Sequence, residues 1–74
     1  MGRLRVLSGE SVCGILRTQG FCEVRRRGSH IVMQKAILDT TLTVPVPNHP
    51  ELRVGTLLSI IRQSSLPRSL FETP

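Results

Sequence analysis

Two prolines flanking Val46 place the first constraint on this chain. Leu42, Val44 and Val46 alternate with Thr41, Thr43 and Pro45, the two-residue period of a strand with one buried face. Pro45 and Pro47 each lack the backbone N–H that a central strand donates to its neighbour. The run is therefore predicted to form an edge strand, where the missing donors face solvent and discourage pairing with another chain. Two further strands precede it. Cys22 to Arg27 sends Cys22, Val24 and Arg26 to one face and Glu23, Arg25 and Arg27 to the other on strict alternation, and ends at the turn pair Gly28-Ser29. His30 to Lys35 resumes with the β-prone Ile31, Val32 and Met33 as its hairpin partner, and Asp39-Thr40 marks the next turn.

Helices flank this sheet. Val12, Ile15 and Leu16 recur at helical spacing after Ser8, a suitable N-cap, with Glu10 in the first turn opposing the helix dipole. Gly20 suits the left-handed position past the helix end, and Phe21 can then pack back on Leu16 in a Schellman motif. Gly14, inside the helix, suggests an element passing close by, or else it is simply tolerated. Val54, Leu57, Leu58 and Ile61 define a second amphipathic helix, with Ile60 widening the stripe. Leu66-Pro67 begins a short terminal turn, with Pro67 at its first position and Leu70 and Phe71 closing the core. The order α-β-β-β-α with short connections predicts one α+β domain over residues 1–74: a three-stranded antiparallel meander with both helices on one face.

With 74 residues the core is modest, so a ligand is expected on an open face rather than in a deep cavity. Nine Arg and one Lys against five acidic residues give a net charge of +5, which favours an anionic partner, nucleic acid first and an acidic protein second. No apolar stretch approaches bilayer length and Met1 to Ser11 lacks a secretion-signal core, so a cytoplasmic protein without membrane association is expected. Cys13 and Cys22 are expected to be reduced and half-buried. His30 and His49 stand 19 residues apart without a ligand pattern, so no structural metal is expected.

Arg25-Arg26-Arg27 directly before Gly28-Ser29-His30 is the cluster with most chemical potential. On the residues alone two readings stay open: a phosphate-contacting patch beside an activating imidazole, or a solvated basic strand with a structural histidine. His49, between Asn48 and Pro50, reads first as a turn or helix-entry residue. Gly55-Thr56 reads first as a helix start allowing close packing on the sheet, with phosphate binding by exposed N–H groups as the other possibility.

The string Leu7-Ser8-Gly9, Val12, Leu16, Gly20-Phe21 and Arg25-Arg26-Arg27-Gly28-Ser29-His30 resembles the N-terminal half of the HicA toxin family. Val44-Pro45-Val46-Pro47, His49, Glu51-Leu52, Gly55-Thr56-Leu57 and Ile60-Ile61-Arg62-Gln63 resemble its C-terminal half, so the resemblance covers nearly the whole chain. The C-terminus, Leu66 to Phe71 followed at once by Glu72-Thr73-Pro74, departs from that pattern in having little of an extended final helix.

The resemblance implies a fold like a double-stranded-RNA-binding domain. It also implies an endoribonuclease toxin that cleaves mRNA and is silenced by a HicB-type antitoxin; because no carboxylate or Cys/His cluster has metal-ligand spacing, cleavage is expected to need no metal ion or cofactor. The family's functional histidine falls on His30, as general acid or base, and Arg25, Arg27, Ser29 and Lys35 are the expected RNA contacts. A non-catalytic RNA-binding module and an interaction protein with a basic docking face are the competing classes. Only Phe21 and Phe71 are aromatic, which argues against base stacking as the main recognition mode.

Overall fold

The structure, a computed structural model, describes residues 2–73. It contains α1 (Gly9–Thr18), β1 (Cys22–Arg27), β2 (His30–Ile37), β3 (Thr40–Pro47), α2 (Val54–Ser64) and a closing 3-10 turn, Arg68–Phe71. The sheet is antiparallel in the order β1-β2-β3, which leaves the proline-bearing β3 on an edge as expected. Val12 and Leu16 of α1 and Leu57, Ile60 and Ile61 of α2 share one buried cluster with Ile31, Met33, Val44 and Val46 of the sheet. Both helices therefore cover the same face. Each fully buried aliphatic side chain here contributes about 1.5–3 kcal/mol by leaving water.

The ends of α1 form as their local sequence dictates. Ser8 Oγ accepts from Ser11 N at 3.0 Å. At the other end, Phe21 N donates to Leu16 O at 3.0 Å and Gly20 N to Arg17 O at 3.1 Å, with Gly20 at φ 95°. That is the Schellman pattern, and it delivers Phe21 into the core beside Leu16. Gly14 has nothing within 4 Å of the position its Cβ would take, so no element passes close there.

Three expectations are corrected. β1 carries an irregularity at Val24: Glu23 pairs with Met33, whereas Arg25 pairs with Val32. The extra residue resets the alternation. Directly opposed residues share a face, so Cys22, Arg25 and Arg27 lie together on the uncovered face while Glu23 and Arg26 turn toward the helices. In α2 the buried stripe is Leu57, Ile60, Ile61 and Ser64, and Val54 and Leu58 are exposed. Ser64 tolerates burial because its hydroxyl donates to Ile61 O at 2.9 Å and accepts from Leu66 N at 3.2 Å. Third, Cys13 is buried and Cys22 exposed, both as free thiols, rather than both half-buried.

Smaller shifts occur at two turns. The β2-β3 turn falls on Leu38-Asp39, and Pro67 caps the terminal turn from just outside it. The two ends of the chain pair: Arg5 N donates to Phe71 O at 2.9 Å and Thr73 N to Arg3 O at 2.7 Å. No helix is long and apolar enough to cross a membrane among the described residues.

Candidate functional site

His30 opens β2 immediately after a tight turn in which Gly28 takes φ 56°, a conformation that costs a side-chain-bearing residue energy. Its cross-strand neighbours are Arg27 on β1 and Pro47 on β3. Directly opposed residues place their Cβ atoms about 4.5–5.5 Å apart, so the His30 imidazole and the Arg27 guanidinium share one rung of the open face. Arg25, opposite Val32, lies on the same face one rung further along. Among the described residues neither Arg25 nor Arg27 has an ion-pair partner. Ser29 Oγ lies 3.5 Å from His30 Nδ1, and no described hydrogen bond engages Nε2.

Arg26, between them in sequence, serves the opposite face. It donates to Glu10 at 2.6 Å and to Glu23 at 2.9 Å, and Arg17 adds a 3.1 Å bond to Glu23. The hydrogen bonds from Arg26 hold both the Glu10 and Glu23 carboxyls below their ordinary values, and those carboxylates push Arg26 further upward. This network ties α1 to β1. Lys35 also lies on the helix side, opposite Leu42, with Nζ 5.9 Å from the Phe21 ring centroid in a cation–π arrangement. The structure thus brings His30, Ser29, Arg25 and Arg27 together and sets Lys35 apart from them.

A groove of about 350 Å³ runs beside His30 between the β3 edge and α2. Its strand wall is His30, Pro45 and Pro47; its helix wall is Gly55, Thr56, Ser59, Ile60 and Gln63. A Cβ at Gly55 would meet nothing within 4 Å, so close packing on the sheet is not what a glycine serves there. Arg53 caps α2 without a side-chain hydrogen bond, and the first turn holds no acidic residue. The positive end of this helix is therefore left uncompensated beside the histidine.

The loop into α2 is anchored by main-chain bonds rather than by side chains. Asn48 N donates to Ser29 O, Gly9 N to His49 O at 2.9 Å, and Leu52 N to Leu7 O at 2.8 Å. His49 thus ties this loop to the start of α1 through its carbonyl, and its side chain does not line the groove. A Cβ at Gly9 would overlap Pro47 O, so glycine is required for α1 to begin against this loop. Among the described residues no group of three or more His, Cys, Asp or Glu side chains is placed to hold a metal ion.

The groove itself went unread in the sequence. Its two walls come from elements adjacent in the chain, and the available signal was that Pro45 and Pro47 mark an edge beside which the next helix must pass. In comparison with known proteins, a family model described as HicA toxin of bacterial toxin-antitoxin matches residues 9–66, from the first turn of α1 to just beyond α2. No curated protein matches the chain.

Proposed function

Since the chain belongs to the HicA family of bacterial toxin–antitoxin toxins, we propose that it is an endoribonuclease that cleaves mRNA without a metal ion, using His30 as proton-transfer residue. A HicB-type antitoxin is its proposed inhibitor, and the cytoplasm, where mRNA is found, its proposed site of action. The observation that carries this reading is the rung shared by His30 and Arg27, with Arg25 beside it, on a face that neither helix covers.

RNA supplies its own nucleophile. The 2′-oxygen forms a bond to phosphorus as the bond from phosphorus to the 5′-oxygen breaks, which leaves a 2′,3′-cyclic phosphate and a 5′-hydroxyl. A base takes the 2′ proton or an acid protonates the departing 5′-oxygen, and an imidazole serves either role near neutral pH, worth about 10²- to 10⁴-fold in rate. His30 Nε2 is the available atom, and Ser29 Oγ lies 3.5 Å from Nδ1, too long to fix the ring by a strong hydrogen bond. The forked guanidinium groups of Arg25 and Arg27 suit the phosphate oxygens, where charge accumulates. Lys35, on the other face, is assigned no contact with the reacting phosphate.

Incubating the purified protein with long single-stranded RNA and analysing the product ends tests the reaction. Cyclic phosphate and 5′-hydroxyl ends, formed equally well in EDTA and absent from a 2′-deoxy substrate, are expected. RNA that is bound but left intact would identify a binding module instead, and cleavage restored to an EDTA-treated sample only by a divalent ion would refute the metal-free route.

A further inference from the structure

From the groove between the β3 edge and α2 we infer that the protein holds one unpaired nucleobase beside His30 and thereby selects where RNA is cut. The inference rests on the endoribonuclease reading and names the part of the substrate that this groove takes.

The chemistry of the walls points to a flat, neutral ligand. His30 at the rim is the only titratable side chain in the lining; the rest is aliphatic surface from Pro45 and Pro47, with Ile60 almost wholly buried at the base, and neutral polar groups from Thr56, Ser59 and Gln63. The first turn of α2 at Gly55 and Thr56 attracts negative charge, but no Arg or Lys side chain lines the groove to neutralise a phosphate, whereas the unpaired Arg25 and Arg27 wait on the open face outside it. A base has the opposite preference. Its faces are apolar and its edge carries donors and acceptors, which match a proline wall facing the neutral polar groups of α2.

The groove volume of about 350 Å³ lies at the lower end of the roughly 300–1,000 Å³ typical of small-ligand sites, a size for one base rather than a helix. Prolines make a wall without N–H donors, so Pro45 and Pro47 can offer a base only carbonyl acceptors from the main chain. Both phenylalanines, Phe21 and Phe71, are buried in the core, so the aromatic rings left at the surface are the imidazoles of His30 and His49, of which His30 lines the groove. A groove with a proline wall on one side and the polar face of α2 on the other holds an unstacked base by packing on one face and hydrogen bonds at its edge.

Gln63 is the reading group. Its Nε2 donates to Ser59 Oγ at 2.9 Å, which orients the amide, and no described hydrogen bond uses its Oε1. An oriented amide presents a fixed donor and acceptor pattern to a base edge, the property by which amide side chains distinguish bases.

The test titrates isotope-labelled His30→Ala protein, which keeps the groove's other residues, with four single-stranded 2′-deoxy hexanucleotides of A, C, G or T, and follows the backbone amide resonances. Parallel sequencing maps the ends that the parent protein makes in a long RNA. The inference expects shifts at Thr56, Ser59 and Gln63 with one base favoured, and the same base, with U for T, enriched at one position beside the cut. In Gln63→Leu, an exposed substitution that removes the amide and shortens the side chain by one atom, discrimination at that position should fall about tenfold or more.

Equal response to all four hexamers, shifts confined to Arg25 and Arg27, or an unchanged preference in Gln63→Leu would each overturn the base slot while leaving His30-dependent cleavage standing. Base-selective shifts without His30-dependent cleavage would instead overturn the nuclease reading and keep the slot.

Discussion

Gly9 and Gly14, five residues apart on α1, should respond to the same substitution with opposite sign. At Gly9 a methyl group would enter Pro47 O, where α1 meets the loop that also holds Ser29 through Asn48 N. Overpacking against main chain typically costs about 1–3 kcal/mol. At Gly14 the same methyl enters open space, and replacing glycine inside a helix gains about 1 kcal/mol. Thermal unfolding separates the two, since 1 kcal/mol moves the midpoint of a domain this small by about 4–8 °C. Gly9→Ala is expected to melt lower and Gly14→Ala higher; a Gly9→Ala protein as stable as the parent would contradict the close approach to Pro47.

Among the elements, the irregularity at Val24 decides what β1 does. Strict alternation would have put Arg26 with Cys22 and Val24, away from Glu23; one extra residue puts Glu23 and Arg26 on the helix side, where they meet Glu10 and Arg17 of α1. Because Arg26 depresses the Glu10 and Glu23 carboxyls in the folded state, their contribution is fully present above the ordinary value of 4.5 and is lost as pH falls through the lowered folded values. Arg26→Gln should therefore be less stable than the parent at neutral pH, with the gap closing as the solution is acidified below pH 4.5. Urea unfolding of the two proteins between pH 7 and pH 3 checks this, and a gap independent of pH would show that the ion pairs contribute nothing.

The same element shows where sequence reading reaches its limit. The Schellman end of α1 and the Gly28-Ser29 turn were legible because neighbouring residues determine them. The face of each β1 residue was not, because register belongs to the pair of strands. The stripe of α2 was misjudged by one turn because Ser64 is polar and is satisfied by a bond to Ile61 O within the helix together with one from Leu66 N just past its end. His30, Arg25 and Arg27 were legible as a cluster, and Lys35 fell away for a reason alternation already contained: an odd number of steps from His30 puts it on the other face.

For the molecule as a whole, a +5 chain whose acidic side chains Glu10, Glu23 and Glu72 are engaged in ion pairs leaves its open face positive. Such a face should draw RNA through counterion release, with each phosphate neutralised on a single strand contributing about −0.7 to the slope of log affinity against log salt. In a His30→Ala background, changing Arg25 and Arg27 to Gln should flatten the slope by about 0.7 for each phosphate no longer neutralised, whereas Lys35→Gln should leave it unchanged. A flattened slope in Lys35→Gln alone would move the RNA path to the helix side. The claim on which the rest depends is that His30 carries out the cut. Its most direct measurement is the rate at which parent and His30→Ala proteins, matched by circular dichroism and melting temperature, degrade the same single-stranded RNA. A drop of about 10²-fold or more in the variant is the predicted result; an equally folded variant that cuts at the parent rate would contradict it.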